Sequence, residues 1–189
     1  MGSKPISTTT DAITFLRDQH VRIRHLFDEV QHADTSAERE VKFYELRRLL
    51  AVHETAEEEI IHPRARREID DGSAIVQARL DEENKAKRQL ADIEAVDIDS
   101  VEFEVRLAKL RESVLAHAEH EEREEFDRLH EQLDADDLHR LRSAVEVAET
   151  MAPTRPHPGV ESATANVLTG PFAAMLDRAK DIISKPHLP

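Results

Sequence analysis

Residues 53–63 read HETAEEEIIHP, and the prediction of both the fold and the site starts from this stretch. His53 and Glu57 are four positions apart. On a helix they would lie about 6 Å apart along the axis and only about 40° apart around it. Both residues continue an apolar line that includes Leu50 and Ile60. A histidine and a glutamate are therefore predicted to point into the core of a helical protein.

The same pattern occurs a second time in the chain. Residues 117–127 read HAEHEEREEFD and align without gaps with the first stretch. His117 falls opposite His53, at an offset of 64 positions (117 minus 53), and Glu121 falls opposite Glu57. This internal repeat predicts two helical hairpins, each of which gives a His-x-x-x-Glu pair from its second helix.

Each hairpin is predicted to give one further polar residue from its first helix. His20 lies on the apolar line between Leu16 and Ile23. Glu83 follows His20 by 63 positions (83 minus 20), close to the offset of the repeat, and continues the apolar line after Leu80. The six ionisable residues predicted to point inward are His20, His53, Glu57, Glu83, His117 and Glu121.

Six buried ionisable groups require charge compensation. Burying a carboxylate without a partner costs on the order of several kcal/mol, and burial also opposes protonation of the histidines that could pair with it. A bound cation removes both difficulties, and two facing His-x-x-x-Glu pairs have room for two cations. Imidazole and carboxylate ligands without thiolate suit iron or manganese, whereas zinc is less favoured with so many carboxylates.

Apolar residues at helical spacing predict an all-α protein with an up-down-up-down four-helix bundle, because long helices with short connections pack as antiparallel neighbours. The four apolar lines are Ile13, Leu16, Ile23, Phe27 and Val30; Phe43, Leu46, Leu50 and Ile60; Val76, Leu80, Ala86, Leu90 and Ile93; and Phe103, Leu107, Leu110 and Val114.

Helix ends are predicted from capping residues and proline. The first helix is predicted to begin after Thr8–Thr10, the second after a turn at 34–36, the third at Ser73 and the fourth after 97–100. The second helix is predicted to end near His62, because Pro63 disfavours helical geometry in the preceding residue.

The chain is predicted to contain a flexible segment 1–10, the bundle at 11–130 and a fifth helix at 131–152. The fifth helix carries Leu138, Leu141, Val145 and Met151 and is expected to pack on the bundle. Residues 153–189 form a proline-containing extension with a short helix from about 171 to 183.

Composition excludes several classes of function. Acidic residues outnumber basic residues 40 to 26, giving a net charge of −14, and the sequence has no segregated basic patch, so nucleic-acid binding is not expected. The absence of cysteine excludes disulfides, thiolate metal sites and thiol catalysis. The sequence has neither a signal-peptide pattern nor an apolar run of membrane-spanning length, so a cytoplasmic protein without membrane contact is expected.

The motifs resemble the hemerythrin-like, or HHE cation-binding, domain over residues 11 to about 130. The matching motifs are His20, then His53-x-x-x-Glu57 ahead of IIHP, then His117-x-x-x-Glu121 ahead of EEF. The resemblance implies a bundle that holds two irons and binds O2 or related small ligands such as H2O2 or NO. By the same resemblance, His20 and His53 would bind one iron, His117 the other, and Glu57 and Glu121 would bridge them.

The third helix departs from the family pattern. The family has a histidine there, but this chain has none between His62 and His117, and Glu83 holds the expected position. Glu82 and Asn84 are its neighbours but fall off the apolar line. His62 stays open as an additional ligand if the helix kinks at the following proline, and His120 stays open as a residue that supports a ligand. Tyr44 is not expected to bind metal, because it lies on the opposite side of the second helix.

A glutamate in place of a histidine has a chemical consequence. A carboxylate is a harder, anionic donor and should stabilise Fe(III) relative to Fe(II). Reversible oxygen carriage is therefore less expected than catalase-like peroxide breakdown or a role in oxidative or nitrosative stress. A non-catalytic sensor of iron, oxygen or redox state, or an interaction module, is the alternative, and the sequence leaves open whether the protein is an enzyme.

Overall fold

The computed structural model describes residues 10–150, and the regular elements in this range are all helical. Two π-helical turns, Glu57–Ile61 and Glu122–Phe126, join α2 to α3 and α5 to α6 without a break. The predicted all-α four-helix bundle is confirmed. The α-helices are α1 (Ala12–Gln31), α2 (Ser36–Ala56), α3 (His62–Glu68), α4 (Gly72–Glu94), α5 (Val101–Glu121), α6 (Asp127–Gln132) and α7 (Ala135–Glu149).

Side-chain caps begin three of the four long helices. Thr35 and Ser100 accept hydrogen bonds from backbone N–H groups of α2 and α5, as the turns predicted at 34–36 and 97–100 require. α1 begins after Thr8–Thr10, as predicted, but a threonine is not its N-cap. Asp11 is the N-cap, because its carboxylate accepts from the N–H of Thr14 and suits the positive end of the helix dipole.

The start of α4 is set by close packing rather than by the predicted Ser73 cap. Asp71 occupies the N-cap position with a positive φ of 60° and makes no side-chain capping bond. Gly72 follows it where α3 passes very close, and a Cβ there would collide with the carbonyl oxygen of Ala65. The chain therefore turns from α3 into α4 through backbone geometry that requires glycine.

The second helix does not end at His62, which corrects the prediction from Pro63. The N–H of His62 donates to the carbonyl of Glu57, five residues earlier, in the π-helical turn. Pro63 then lies in the first turn of α3, where its missing amide hydrogen is not required, and the helix continues to Glu68. A widened turn thus carries the helix past the proline.

The hydrophobic core is divided into two clusters. One, which we call the lower cluster, contains Ile23, Leu50, Ala86 and Val114. The other, which we call the upper cluster, contains Leu16 and residues of both π-helical turns. Along every long helix, the switch from one cluster to the other occurs at the predicted polar positions. The core of the bundle therefore has a polar layer between two apolar ones.

The fifth predicted helix corresponds to α7. Its buried residues Leu138, Leu141 and Val145 belong to the upper cluster, and α7 contacts α1, α2 and the first π-helical turn. Within residues 10–150 no helix combines the length and apolarity needed to cross a bilayer. The predicted flexible segment, Met151 and the proline-containing extension with its final helix lie outside the described residues, apart from the single residue Thr10.

Candidate metal centre

The six predicted site residues lie together in the polar layer. They come from four different helical segments, and none has more than 8 % of its surface exposed. Burial of this many ionisable groups in one layer is costly unless their charges are balanced. The six are His20 from α1, His53 and Glu57 from the second helix and its π-helical turn, Glu83 from α4, and His117 and Glu121 from α5.

Their ligand atoms form two groups, each of a size that can hold one cation. In the first group, atoms of His20, His53, Glu57 and Glu121 all lie within 4.8 Å of one another. In the second, the same holds for Glu57, Glu83 and His117. Glu57 belongs to both groups, and Oε2 of Glu121 also lies 3.8 Å from Nε2 of His117. The two carboxylates on the repeated motifs therefore lie between the two groups of ligand atoms.

The three histidines present the same nitrogen to the centre. Nε2 of His53 lies 2.9 Å from Oε1 of Glu57, and Nε2 of His20 lies 3.4 Å from Oε2 of Glu121. On the other side of each ring, Nδ1 contacts an oxygen that holds the ring in place. These outer contacts are His20 with Glu122 at 2.7 Å, His53 with Gln19 at 2.7 Å and His117 with Glu82 at 3.1 Å.

The ring nitrogens and carboxylate oxygens that face the centre are the atoms that would bind a cation. Buried polar atoms in proteins nearly always have hydrogen-bond partners, so a cluster of exceptions requires a cause. The exceptions in the polar layer lie close together and comprise three imidazole nitrogens and several carboxylate oxygens. Such a set of donor atoms fits a divalent or trivalent cation. Among the buried atoms without a hydrogen-bond partner, those of the six residues are Nε2 of His20, His53 and His117, both oxygens of Glu57 and Glu121, and Oε2 of Glu83.

The pKa values of the histidines differ according to their neighbours. Burial and the charge of His20 lower the pKa of His53 to about 3. Burial also opposes protonation of His20, but the neighbouring carboxylates of Glu121 and Glu122 outweigh it and raise the pKa to about 9. For His117 a hydrogen bond to Glu82 and the nearby carboxylates likewise outweigh burial, and its pKa is raised to about 9. Protons and metal ions therefore compete for the same nitrogens.

The pKa values of the carboxylates also differ according to their neighbours. Burial raises the pKa of Glu57 to about 7. Burial would also raise the pKa of Glu83, but its hydrogen bond to His62 and the nearby positive charges lower it to about 2. Glu83 is therefore the carboxylate most firmly held as an anion at the centre.

His62 and Glu125 extend the polar layer beyond the predicted six. Nε2 of His62 lies 2.8 Å from Oε1 of Glu83, and its Nδ1 lies 2.9 Å from Oε1 of Glu125. Atoms of His62, Glu121 and Glu125 form a third group within 4.8 Å, but both nitrogens of His62 already contact carboxylates. His62 was open as an alternative in the sequence, whereas Glu125 was missed. Its position four residues after Glu121 was the available signal.

Two more acidic residues near Glu57 are withdrawn from solvent, Glu54 fully and Glu58 in part. Glu54 and Glu58 contact the ammonium group of Lys87, which reaches them from α4. Nζ of Lys87 also lies 3.6 Å from Oε2 of Glu83. By contrast, Tyr44, which was not expected to bind metal, is 46 % exposed.

Glu82 supports the site rather than competing with Glu83 for it. One oxygen of Glu82 lies 3.1 Å from Nδ1 of His117, and the other lies 2.8 Å from Nδ1 of His120. His120 therefore reaches the centre only through Glu82, which is the supporting position that the sequence left open for it.

Replacing Glu82 with alanine is expected to weaken metal binding by about 10- to 100-fold, because His117 would lose the partner that fixes its ring. The measurement is competition for iron with a chelator of known affinity. Asp81→Ala is the matched control, since Asp81 is the exposed neighbour on α4 and contacts only Gln77. Equal affinities for the two variants would contradict the assigned role of Glu82.

A helical bundle with a central layer of facing histidines and glutamates defines a class of cation-binding protein. A family model described as the hemerythrin HHE cation binding domain matches residues 11–129. The chain belongs to this family, and the resemblance predicted from the motifs is confirmed. A cation-binding role for the domain follows from family membership together with the buried clusters.

Similar proteins differ in length and description. A protein of Nostoc sp. described as a DNA nickase is 31 % identical over 107 residues, which cover 57 % of this chain but only 30 % of the relative. An uncharacterized hemerythrin-like protein of Schizosaccharomyces pombe is 24 % identical over 138 residues, covering 72 % of this chain and 68 % of the relative. The crystal structure of a hemerythrin HHE cation binding domain-containing protein from Mycobacterium kansasii has a TM-score of 0.67 at 20 % identity, covering 90 % of this chain and 99 % of that one, and supports the shared fold.

Proposed function

We propose that the chain binds two iron ions in the polar layer and uses them to break down hydrogen peroxide. The observation that carries the proposal is the convergence of buried ligand atoms that have no hydrogen-bond partner. One iron would be held by His20 and His53, the other by Glu83 and His117. Glu57 and Glu121 would be shared between them.

The donor set supports iron over zinc. Three carboxylates and three imidazoles around two positions form a hard, oxygen-rich environment, which suits iron or manganese. Glu83, whose pKa is lowered to about 2, adds a fixed negative charge that favours the higher oxidation state. A centre that resists reduction is poorly suited to reversible oxygen carriage and better suited to oxidant chemistry.

The space beside the centre supports a small substrate. A narrow cavity of about 10 Å³ lies against His20, His53, Glu83 and His117. This volume is close to that of a single water-sized probe, so it favours the smallest ligands, such as O2, NO and H2O2, over organic substrates. Glu54 also lines it, and the other walls are apolar and include Ile23, Leu50, Ala86 and Val114.

The overall reaction would convert two molecules of H2O2 into two of water and one of O2. Bound iron supplies the exchange of electrons between the two peroxide molecules. The buried side chains of the layer would hold the two irons and keep bulk solvent away from them.

The test is metal analysis of protein expressed in iron-rich medium, followed by an oxygen-electrode assay with peroxide. About two irons per chain, ultraviolet charge-transfer bands and iron-dependent oxygen evolution are expected. Failure to bind iron would overturn the proposal. Three irons per chain would also contradict it, because the group of His62, Glu121 and Glu125 would then be a third metal position.

A redox or oxygen sensor is the second candidate function. The observation that favours it is the chain of contacts from His53 through Gln19 to Glu149 on α7, which links the centre to a helix outside the matched domain. Two irons that change oxidation state without consuming peroxide would support the sensor and contradict the enzyme.

A further inference from the structure

The metal centre is connected to α7, which follows the span matched by the family model. Glu149 is the last residue of α7, and its carboxylate accepts a hydrogen bond from Nε2 of Gln19. Oε1 of Gln19 in turn lies 2.7 Å from Nδ1 of His53. We propose that Glu149 is a positioning residue that orients the amide of Gln19 and thereby keeps the proton of His53 on Nδ1, with the lone pair of Nε2 directed at the metal.

The orientation of an amide decides what it offers to its neighbour. Gln19 can present either its carbonyl oxygen, which accepts, or its NH2 group, which donates. With the oxygen toward His53, Nδ1 must carry the proton and Nε2 is free to bind a cation. With the NH2 group toward His53, Nδ1 must be the acceptor and the proton moves to Nε2, where it blocks metal binding. A carboxylate at 149 can only accept, so it selects the first arrangement.

His53 is the one predicted histidine ligand that needs this control. The Nδ1 atoms of His20 and His117 face Glu122 and Glu82, which as carboxylates accept hydrogen bonds in either of their orientations. The amide of Gln19 is the ambiguous partner. His53 is also buried, and a neutral imidazole has two tautomers to choose between.

Packing of α7 fixes the position of Glu149. Ala144, Val145 and Ala148 are completely buried in the upper hydrophobic cluster, so the end of α7 is anchored against α1 and α2. Glu149 itself is half-buried, so water competes only partly for its contact with Gln19.

The experiment begins with the metal-free full chain, because the tautomer of His53 can be read without metal. Long-range ¹H–¹⁵N NMR distinguishes Nδ1–H from Nε2–H histidine, and the His53 signals are assigned by their loss in His53→Gln. Wild-type protein is expected to have the Nδ1–H form, and Glu149→Ala a mixture or the Nε2–H form. Glu146→Ala is the matched control, since Glu146 lies one turn earlier, is exposed and pairs with Arg142. An unchanged tautomer in Glu149→Ala would overturn the proposal.

Iron affinity gives the second measurement, and this part rests on the proposed function. Glu149→Ala is expected to lose about tenfold in affinity, at the lower end of the effect of removing a partner that orients a ligand. The double variant Gln19→Glu/Glu149→Ala should regain the Nδ1–H tautomer and the affinity, because a carboxylate at 19 needs no orientation. Failure of this rescue would overturn the proposal. A tautomer shift in a protein that binds no iron would instead overturn the proposed function and leave the role of Glu149 standing.

Discussion

Replacing His117 with alanine is expected to reduce bound iron from two ions to about one per chain and to abolish oxygen evolution from peroxide. His117 is the only histidine in the group that it forms with Glu57 and Glu83. Removing a partner that merely orients a ligand costs about 10- to 100-fold in affinity or activity, so removal of the ligand itself should cost at least about 100-fold. Iron analysis and an oxygen electrode provide the two measurements.

His130→Ala is the control for this experiment. His130 is an exposed histidine on α6, so its loss tests for a general effect of removing imidazole from the protein. Full oxygen evolution by His117→Ala would show that the second cation position is not needed for the reaction. Loss of activity in both variants would point to a cause other than loss of a ligand.

The six central residues could be predicted because they lie on regular helical lines. Each of them takes a position at which an apolar residue would be expected, and helical spacing alone places that position in the core. His20 between Leu16 and Ile23 is the clearest case, since both neighbours are completely or almost completely buried. Glu83 could be predicted from the internal repeat, because the offset between its two halves identifies a position whatever residue type occupies it.

The π-helical turns could not be predicted, and they explain most of what was missed. A single π-helical turn, whose hydrogen bonds join residues five positions apart, is too short to produce a repeated pattern in the sequence. In the first turn the residue that returns over Glu57 is His62, which brings a second histidine to the same face and carries the helix past Pro63. In the second turn Phe126 packs against the ring of His20 at a centroid distance of 5.6 Å.

Contacts between distant segments could not be predicted from the sequence either. Glu82 falls off the apolar line of α4, and only the position of α5 brings it to His117. The burial of Lys87 likewise depends on residues of another helix. A lysine on a helix is normally solvated, and its burial here depends on the two glutamates that the second helix presents to it. Charge balance in the layer therefore depends on residues that no single helix identifies.

Replacing Lys87 with methionine is expected to destabilise the metal-free protein by about 3 kcal/mol, because it leaves buried carboxylates without their cation. Lys87 is 5 % exposed, and its ammonium group pairs with Glu54, Glu58 and Glu83. Urea denaturation measures the loss. Lys85→Met is the matched control, since Lys85 lies on the exposed face of the same helix and its replacement should change stability by less than about 0.5 kcal/mol.

The dependence of this loss on pH follows from the same carboxylates. Burial raises the pKa of both Glu54 and Glu58 to about 8, and loss of the lysine can only raise these values further. A carboxylate whose pKa is raised by folding is destabilising when charged and is relieved as it takes up a proton. The deficit of Lys87→Met relative to wild type should therefore shrink as the pH falls from about 10 to about 7, with most of the change above about 8, because below that value these carboxylates are protonated in both proteins. A deficit that is constant over this range, or equal to that of Lys85→Met, would mean that packing of the lysine stem rather than its charge stabilises the layer.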